Sequence, residues 1–476
     1  MLSMPQANDL VSVKDLHELN KALRKATAAG YQTPASQTPD GNTTFSPLVP
    51  QSIEATLASK TFTMDELVLW KMLPKRAVSQ TVHEYTVVNE HGGDMDPFFV
   101  EGGGGYESLS TYERKSLRIK YLMEKREVTD VASMVGIIGN NANAIAEATE
   151  RGTISLLSKL EKQLFIADSS INPLAFDGID KQMADGAPNN VSNLAGDDLT
   201  PMKLQEILSG SYAEPNFGKP SVVLVEPRVH AQLIEQATAY GRHDMMGTGQ
   251  GTMTFGRSDL RISVPYGTGS VPVVGCPFLY PEGAPNAAAV GTAPTAPSAF
   301  NTPTVATHAS SLFLSGDAGT YYYHAVAVGQ GGKSAPIVSA AITVAAGERV
   351  SVGINDDALA TPVSGSENTA SILYYKIYRS TTGVHADAKW AFNVKKADTS
   401  SDTAFNDDNL HRPGMSKAYA LQMTPDVIEW VKLLDFIRRP LAEVKTTKPF
   451  LLMLFGALNI KVPTKNWLIR NIKTNP

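Results

Sequence analysis

Between residues 77 and 130 the apolar side chains return at every second position. In "SLRIKYLMEKREVT", Leu117, Ile119, Tyr121 and Met123 alternate with Arg118, Lys120 and Glu124, the pattern of a strand with one wet face. Its expected partner is the upstream "QTVHEYTVVN", and the glycine-dense "EHGGDMDPFFVEGGGGYES" between them reads as a tip. This predicts a long two-stranded hairpin over 77–130. An isolated hairpin is marginal in water, and the flanking sequence holds too little apolar material to cover both faces. The cover is therefore expected from outside the chain. His83 and His91 flank the hairpin and read as surface histidines, with a pH-responsive pair as the sharper alternative.

The rest of the chain has the means to fold on its own. Its 476 residues allow two to four units, and 42% hydrophobic with 19% charged residues is the balance of a folded protein. A mean hydropathy of -0.13 agrees. The longest apolar run near the C-terminus, "FLLMLFGALNI", is shorter than the roughly 18–20 residues of a membrane span and reads as buried strand, so no membrane is expected as a partner. No secretory signal is visible at the N-terminus. The single cysteine, Cys276, excludes an intrachain disulfide and reads as a small buried hydrophobe. The net charge is -5, yet residues 413–476 carry ten Lys and Arg against four Asp and Glu. That basic segment reads as a solvated or intersubunit face, with a polyanion as the alternative.

Local signals divide the chain further. Residues 12–29 carry a capping box at Ser12 and Asp15 and apolar Leu16, Leu19 and Leu23, predicting a short amphipathic helix. The Pro/Thr/Ser-rich stretch 31–50 predicts an extended arm without a core. Thr63 and Glu66 form a second capping box before "MDELVLWKML", closed by Pro74. The face of Ile145, Ala148, Gly152, Leu156, Leu157, Leu160 and Leu164 predicts a helix of about 36 Å at 1.5 Å per residue. Beyond it, "PMKLQEILSGS" and "PRVHAQLIEQATAY" read as helices, and "PSVVLVEP", "LRISVPYG" and "VPVVGCPFLY" as strands, making an α+β domain. Prolines 281, 285, 294, 297 and 303 then suggest a semi-rigid linker. "GTYYYHAVAVGQGGKSAP", "AAITVAAGERVSVGI" and "SILYYKIYRSTTG" predict a β-sandwich, after which "SKAYALQMT", "DVIEWVKLLDFIRR" and the C-terminal run return to α+β character. An all-β module is thus expected to interrupt an α+β domain.

The chemical motifs are few. "AVGQGGKS", residues 327–334, nearly spells a phosphate-binding loop around Gly329, Gly331, Gly332 and Lys333. Such a loop needs a helix after it, whose N-terminus meets the phosphate. Here Ser334 leads into Ala335, Pro336 and the β-branched "IVSAAITV", which predicts a strand, a glycine-rich turn and another strand. "EGGGGYES" lacks the spacing of a dinucleotide fingerprint. The nine histidines show no i, i+4 pair, so no zinc site is supported. Asp356-Asp357 and Asp407-Asp408 are expected in loops, where turn formation explains them. With no nucleophile set beside a base, the chain reads as a non-enzyme with no catalytic residues, cofactor or metal.

Taken in order, the arm, the hairpin with its "DPFFVEGG" tip, the long helix of 141–168, "LAFDGID", "PSVVLVEPRVHAQLIEQ" and the ending "FGALNIKVPTKNWLIRNI" resemble the major capsid proteins of tailed bacteriophages, the Hong Kong 97 fold. The insert resembles a fibronectin-type-III or immunoglobulin-like module: "YYYHAVAVGQGGKSAP" looks like its late strand pair and "YYKIYRS" like its middle strand, in reversed order. The resemblance implies an N-terminal arm (1–60), a short helix leading into the hairpin (61–76), an E-loop hairpin (77–130) and the spine helix of a peripheral domain (131–170). It further implies an axial domain (171–282), the inserted immunoglobulin-like sandwich (283–412) and a C-terminal completion of both domains (413–476).

By the same resemblance the chain would self-assemble into hexamers and pentamers of an icosahedral virion capsid enclosing double-stranded DNA. Assembly would occur in the bacterial host cytoplasm with a separate scaffolding protein, a portal and in some cases a cement protein. Asp96, Pro97, Phe98, Phe99, Glu101, Gly102 and Gly103 of the hairpin tip would touch the neighbouring subunit. The inserted domain would stand outside, where host-surface glycans are its candidate partners. The tip contains no lysine, so no intersubunit isopeptide bond is expected there. The alternative is an adhesion or glycan-binding protein in which the sandwich is the active part.

Overall fold

In the computed structural model the described residues are 61–93, 96, 98–104, 107–135, 143–240, 260–264, 270–356, 371–381, 383–397, 402–443 and 445–474. The predicted helix at 12–29, the arm and Pro97 lie outside them. The capping box is present: the Thr63 hydroxyl accepts the Asp65 N–H (3.3 Å), and Glu66 accepts the Thr63 N–H (2.7 Å). A short 3-10 turn, Met64–Glu66, then leads into the helix Val68–Met72, and Pro74 follows.

Two sheets form the α+β body. The first has four strands in the order Lys75–Ala77, Ile428–Pro440, Thr447–Ile460 and Lys120–Thr129, with only the first pair parallel. The long helix, Ala144–Ile166, lies across it. Its 23 residues begin where the Asn143 side chain accepts the Ile145 N–H (2.9 Å), and Ile154, Leu157, Leu160 and Leu164 form the buried side. The helix closes on the sheet at Gly152, where a Cβ would stand 2.4 Å from the Leu452 side chain. Under it sits Trp430, fully buried between Trp70 and Phe176, both edge-on to its ring.

The second sheet has six strands in the order Val191–Asn193, Trp467–Ile472, Ser416–Leu421, Val222–Val225, Ser270–Gly275 and Arg261–Ser263. Its central strand Val222–Val225 is buried throughout, as the continuous apolar run predicts. The helices Pro201–Tyr212 and Pro227–Tyr240 form where expected, and a further helix, Ile179–Gly186, follows "LAFDG". Cys276 is buried, its thiol pushed up to about 12 by desolvation and the nearby Glu161 carboxylate.

Three expectations need correction. The strand Lys120–Thr129 does not pair with Val82–Glu90; it pairs with Thr447–Ile460, more than 300 residues away in sequence. The hairpin is Val82–Glu90 with Thr111–Arg118, and buried Ile119 separates it from the next strand. Second, the proline-rich stretch is no plain linker. Val290–Gly291 pairs with Gly332–Lys333, Phe300 bridges to Ile354, and Thr304–Thr307 pairs with Glu348–Ile354. Pro294 and Pro297 are buried in the irregular connection between Val290–Gly291 and Thr304–Thr307. Third, the C-terminal region contributes strands and a 3-10 turn, Pro463–Lys465, without an α-helix among its described residues.

Between Val290 and Asp407 the described residues contain strands and 3-10 turns, without an α-helix. A three-stranded sheet (Thr304–Thr307, Glu348–Ile354, Thr403–Asp407) faces a six-stranded sheet centred on Tyr323–Val328 and Tyr374–Arg379, which pair directly. Tyr323, Ala325, Ala327, Tyr375 and Ile377 from one sheet meet Val350, Val352, Ile354 and Phe405 from the other in a core separate from those of the body.

Candidate functional site

The hairpin strands carry alternation with little burial: no residue of Val82–Glu90 or Thr111–Arg118 is fully buried. One face presents His83, Tyr85 and Val87 opposite Leu117, Lys115 and Glu113; the other presents Val82, Glu84, Thr86 and Val88 opposite Arg118, Ser116, Arg114 and Tyr112. Among the described residues the hairpin meets the body at its root. There the Ile119 N–H donates to Thr81 (2.9 Å), the Val78 N–H donates to Lys432 (2.9 Å), and Leu117 packs against the main core. The His83 ring approaches the buried Glu429 carboxylate at 4.0 Å, within a group that includes Arg76 and Lys461. Burial lowers the His83 pKa, with Glu429 opposing it and the two cations adding to it. His91 lies at the far end of the same strand, so the two histidines are not a pair.

At the tip, Asp96 accepts the Phe98 N–H (3.0 Å), an Asx turn that orders the approach to the phenylalanines. The Gly103 N–H closes a turn on the Val100 carbonyl (2.9 Å), and Gly102 supplies its positive φ of 82°. Phe98 and Val100 are 85% and 80% exposed, Phe99 about half, and Glu101 is exposed. Leu109 (72%) and Tyr112 (68%) continue the apolar surface down the stem. These side chains make an exposed apolar patch along the ribbon.

The glycine string is organised for strand pairing. The Gly329 N–H donates to the Gly332 carbonyl (2.9 Å), and Ser334 exchanges hydrogen bonds with Ala327. A Cβ at Gly332 would stand 2.0 Å from the Val290 carbonyl, and one at Gly291 would meet Gly331 at 2.4 Å. These glycines admit a neighbouring backbone. Strand Ile337–Val338 follows in place of a helix, and Lys333 reaches Glu282 (3.4 Å).

Of the aspartates expected in loops, Asp356 and Asp408 lie outside strands and Asp407 ends one, and each makes long-range side-chain bonds that a turn role does not predict. Asp407 is buried and receives Arg379 (2.5 Å) and Tyr323 (2.8 Å). Asp356 is buried beside Lys396 (3.4 Å) and accepts from Tyr375 (2.7 Å) and Thr403 (2.7 Å). Asp408 takes Arg349 through two oxygens (2.5 and 2.6 Å), while Asp357 lies outside the described residues. A buried carboxylate needs such partners, and here they come from strands far off in sequence. Among the described residues no group of three or more His, Cys, Asp or Glu could hold a metal, and no helix is long and apolar enough to cross a membrane.

The described residues thus form a two-sheet α+β body with a long helix across one sheet, a mostly uncovered hairpin and an all-β region. Comparison with curated proteins finds phage major capsid proteins similar along nearly the whole chain. That of Staphylococcus phage K is 25% identical over 463 residues, covering 93% of this chain and 94% of its own. The putative major capsid protein of Enterococcus phage phiEF24C is 22% identical over 487 residues, covering 95% and 96%. Among solved structures, the capsid of cyanophage P-SCSP1u superposes with a TM-score of 0.41 at 10% identity, covering 94% of this chain and all of that one. No family model matches the sequence.

Proposed function

We propose that this chain is a major capsid protein, a non-enzymatic shell subunit that assembles into hexamers and pentamers of an icosahedral phage head around double-stranded DNA. The observation that carries the reading is the end-to-end similarity to phage major capsid proteins in a chain whose hairpin is left largely open by its own fold. A ribbon exposing Phe98, Val100, Leu109 and Tyr112 gains burial only by lying on another surface, and in a homo-oligomer that surface is the next copy. Residues 77–118 would then be the reaching element, with Asp96 to Gly103 as its contact tip. Lys120–Thr129 would belong to the body instead. A scaffolding protein, a portal and a cement protein are the partners such a shell would use, and the virion its location.

The insert between 283 and 412 is proposed to be an immunoglobulin-like or fibronectin-type-III sandwich displayed on the outside of the shell, with glycans as its candidate ligands. Two facing sheets with a shared core support this.

Negative-stain microscopy of the expressed protein, alone and with its genomic neighbours, tests the shell reading. Icosahedral particles or sixfold rings are expected from the native chain, and folded but unassembled subunits from the double variant Phe98→Ser with Tyr112→Ser. A native chain that remains a monodisperse monomer under both conditions would end the proposal.

A further inference from the structure

Where the chain leaves the α+β body for the insertion, and again where it returns, one polar side chain collects several partners. On the outward crossing the carboxylate of Glu282 receives Lys376 (2.5 Å), Tyr378 (2.9 Å) and Lys333 (3.4 Å), all from the six-stranded sheet of the insertion. The Glu282 carbonyl also accepts the Trp390 N–H (3.1 Å). On the return crossing the Asn471 side chain, from a strand of the body, accepts the Arg412 N–H (2.9 Å) and donates to the Leu410 carbonyl (3.0 Å). The Arg412 guanidinium reaches back to Asp317 of the insertion (2.5 Å), and Asn409 donates to the same carboxylate (3.2 Å).

Between the two crossings the insertion and the body face each other across a cleft whose walls include Glu282, Trp390, Arg412 and Asn471. On Tyr374–Arg379, Tyr375 and Ile377 point into the core of the insertion, which leaves Tyr374, Lys376 and Tyr378 on the opposite face. Tyr374 and Asn393 line a crevice with Lys120, Tyr121 and Ile166 of the body. Trp390 lies under Lys417 of the second body sheet, 5.8 Å from ammonium to ring.

From this we infer that the insertion is held on the body in one fixed orientation by two polar clasps, one centred on Glu282 and the other on Arg412 with Asn471 and Asp317. Ion pairs between exposed groups hold little, because water screens them. These differ in having a buried member: Lys376 and Arg412 are largely withdrawn from solvent, and three donors share one Glu282 carboxylate. Removing the acceptor leaves a buried ammonium without a counter-charge, which the segment relieves by lifting off the body. The near-phosphate-loop lysine, Lys333, thereby acquires a role as the outermost member of the first clasp. A chain on a plain Pro/Ala tether would let the insertion sample many orientations; the clasps give it one.

Hydrogen exchange read by mass spectrometry on the full chain tests this with Glu282→Gln, Asn471→Gly and the double variant. In the double variant, peptides spanning 281–291 and 407–415 are expected to exchange roughly tenfold faster, with each single variant affecting mainly its own crossing. Peptides from Tyr323–Val328 should keep their protection, since that strand belongs to the separate core. Unchanged exchange at both crossings would overturn the inference, and so would loss of protection through Tyr323–Val328, which marks residues needed only to fold the insertion. The measurement reads the unassembled subunit, so its failure is distinct from a failure to form particles.

Discussion

Thr111–Arg118 and Lys120–Thr129 are consecutive strands one residue apart, written in the same alternating pattern, and they meet opposite fates. The first remains in a two-stranded ribbon open to solvent; the second lies in the four-stranded sheet beside Thr447–Ile460 and under the long helix. Alternation predicts that a strand has one apolar face, but not which partner will cover it. Lys120–Thr129 pairs with a strand from the other end of the chain and turns Leu122, Glu124, Arg126 and Val128 toward the long helix, while Tyr121 and Met123, which the alternation marks as the apolar face, stay half exposed at 54% each. Among the described residues the ribbon finds no such partner, and its two strands pair only with each other.

Substitutions can break this contrast, beginning in the covered strand. Leu452 is fully buried beneath Gly152, so Leu452→Ala is expected to cost about 2–5 kcal/mol in denaturant unfolding. A cost near zero would mean that the four-stranded sheet is as lightly held as the hairpin. A smaller effect belongs to Glu161, buried at the join between the long helix and the helix before the hairpin, where it accepts the Leu69 N–H (2.7 Å) and the Trp70 N–H (2.9 Å). Burial raises its pKa against the pull of those donors. A raised carboxyl pKa binds more protons in the folded state, so its contribution is complete below the ordinary Glu value of 4.5 and is lost as pH rises through the folded value. Stability measured upward from pH 4.5 should therefore fall more steeply in the native chain than in Glu161→Gln, and parallel curves would contradict it. The smallest effect is expected on the open side. Tyr112→Ser should change subunit stability by no more than about 0.5 kcal/mol, because that ring gains little burial within one chain. A larger loss in calorimetry would show that the ribbon is covered at home.

Much of this was legible in the order of residues. The Thr63 capping box, the buried run Val222–Val225, the long helix and the strand–turn–strand form of residues 323–338 all follow from contacts within a few positions, where local geometry decides. The prolines at 294 and 297 misled because composition alone cannot separate a free tether from a connection packed between two strands. Asp356 and Asp407 misled for a related reason: aspartate near a turn ordinarily serves the turn, while their partners stand 40 and 28 residues away, Lys396 just past the strand Lys389–Lys395 and Arg379 on the strand Tyr374–Arg379. Along the hairpin, sequence indicated an open ribbon but extended it through 130, since nothing in the pattern at Ile119 marks the point where one strand finds company.

The alternation, the caps and the shortage of apolar cover around the tip belong to the sequence by itself, because each is set by neighbouring residues. Tertiary structure alone decided that Lys120–Thr129 joins a strand from the far end of the chain, that the buried aspartates find cations, and that Glu282 and Arg412 grip the insertion. Those outcomes depend on which distant segments share the interior, where a charge without a partner or an apolar face without cover is too costly to persist.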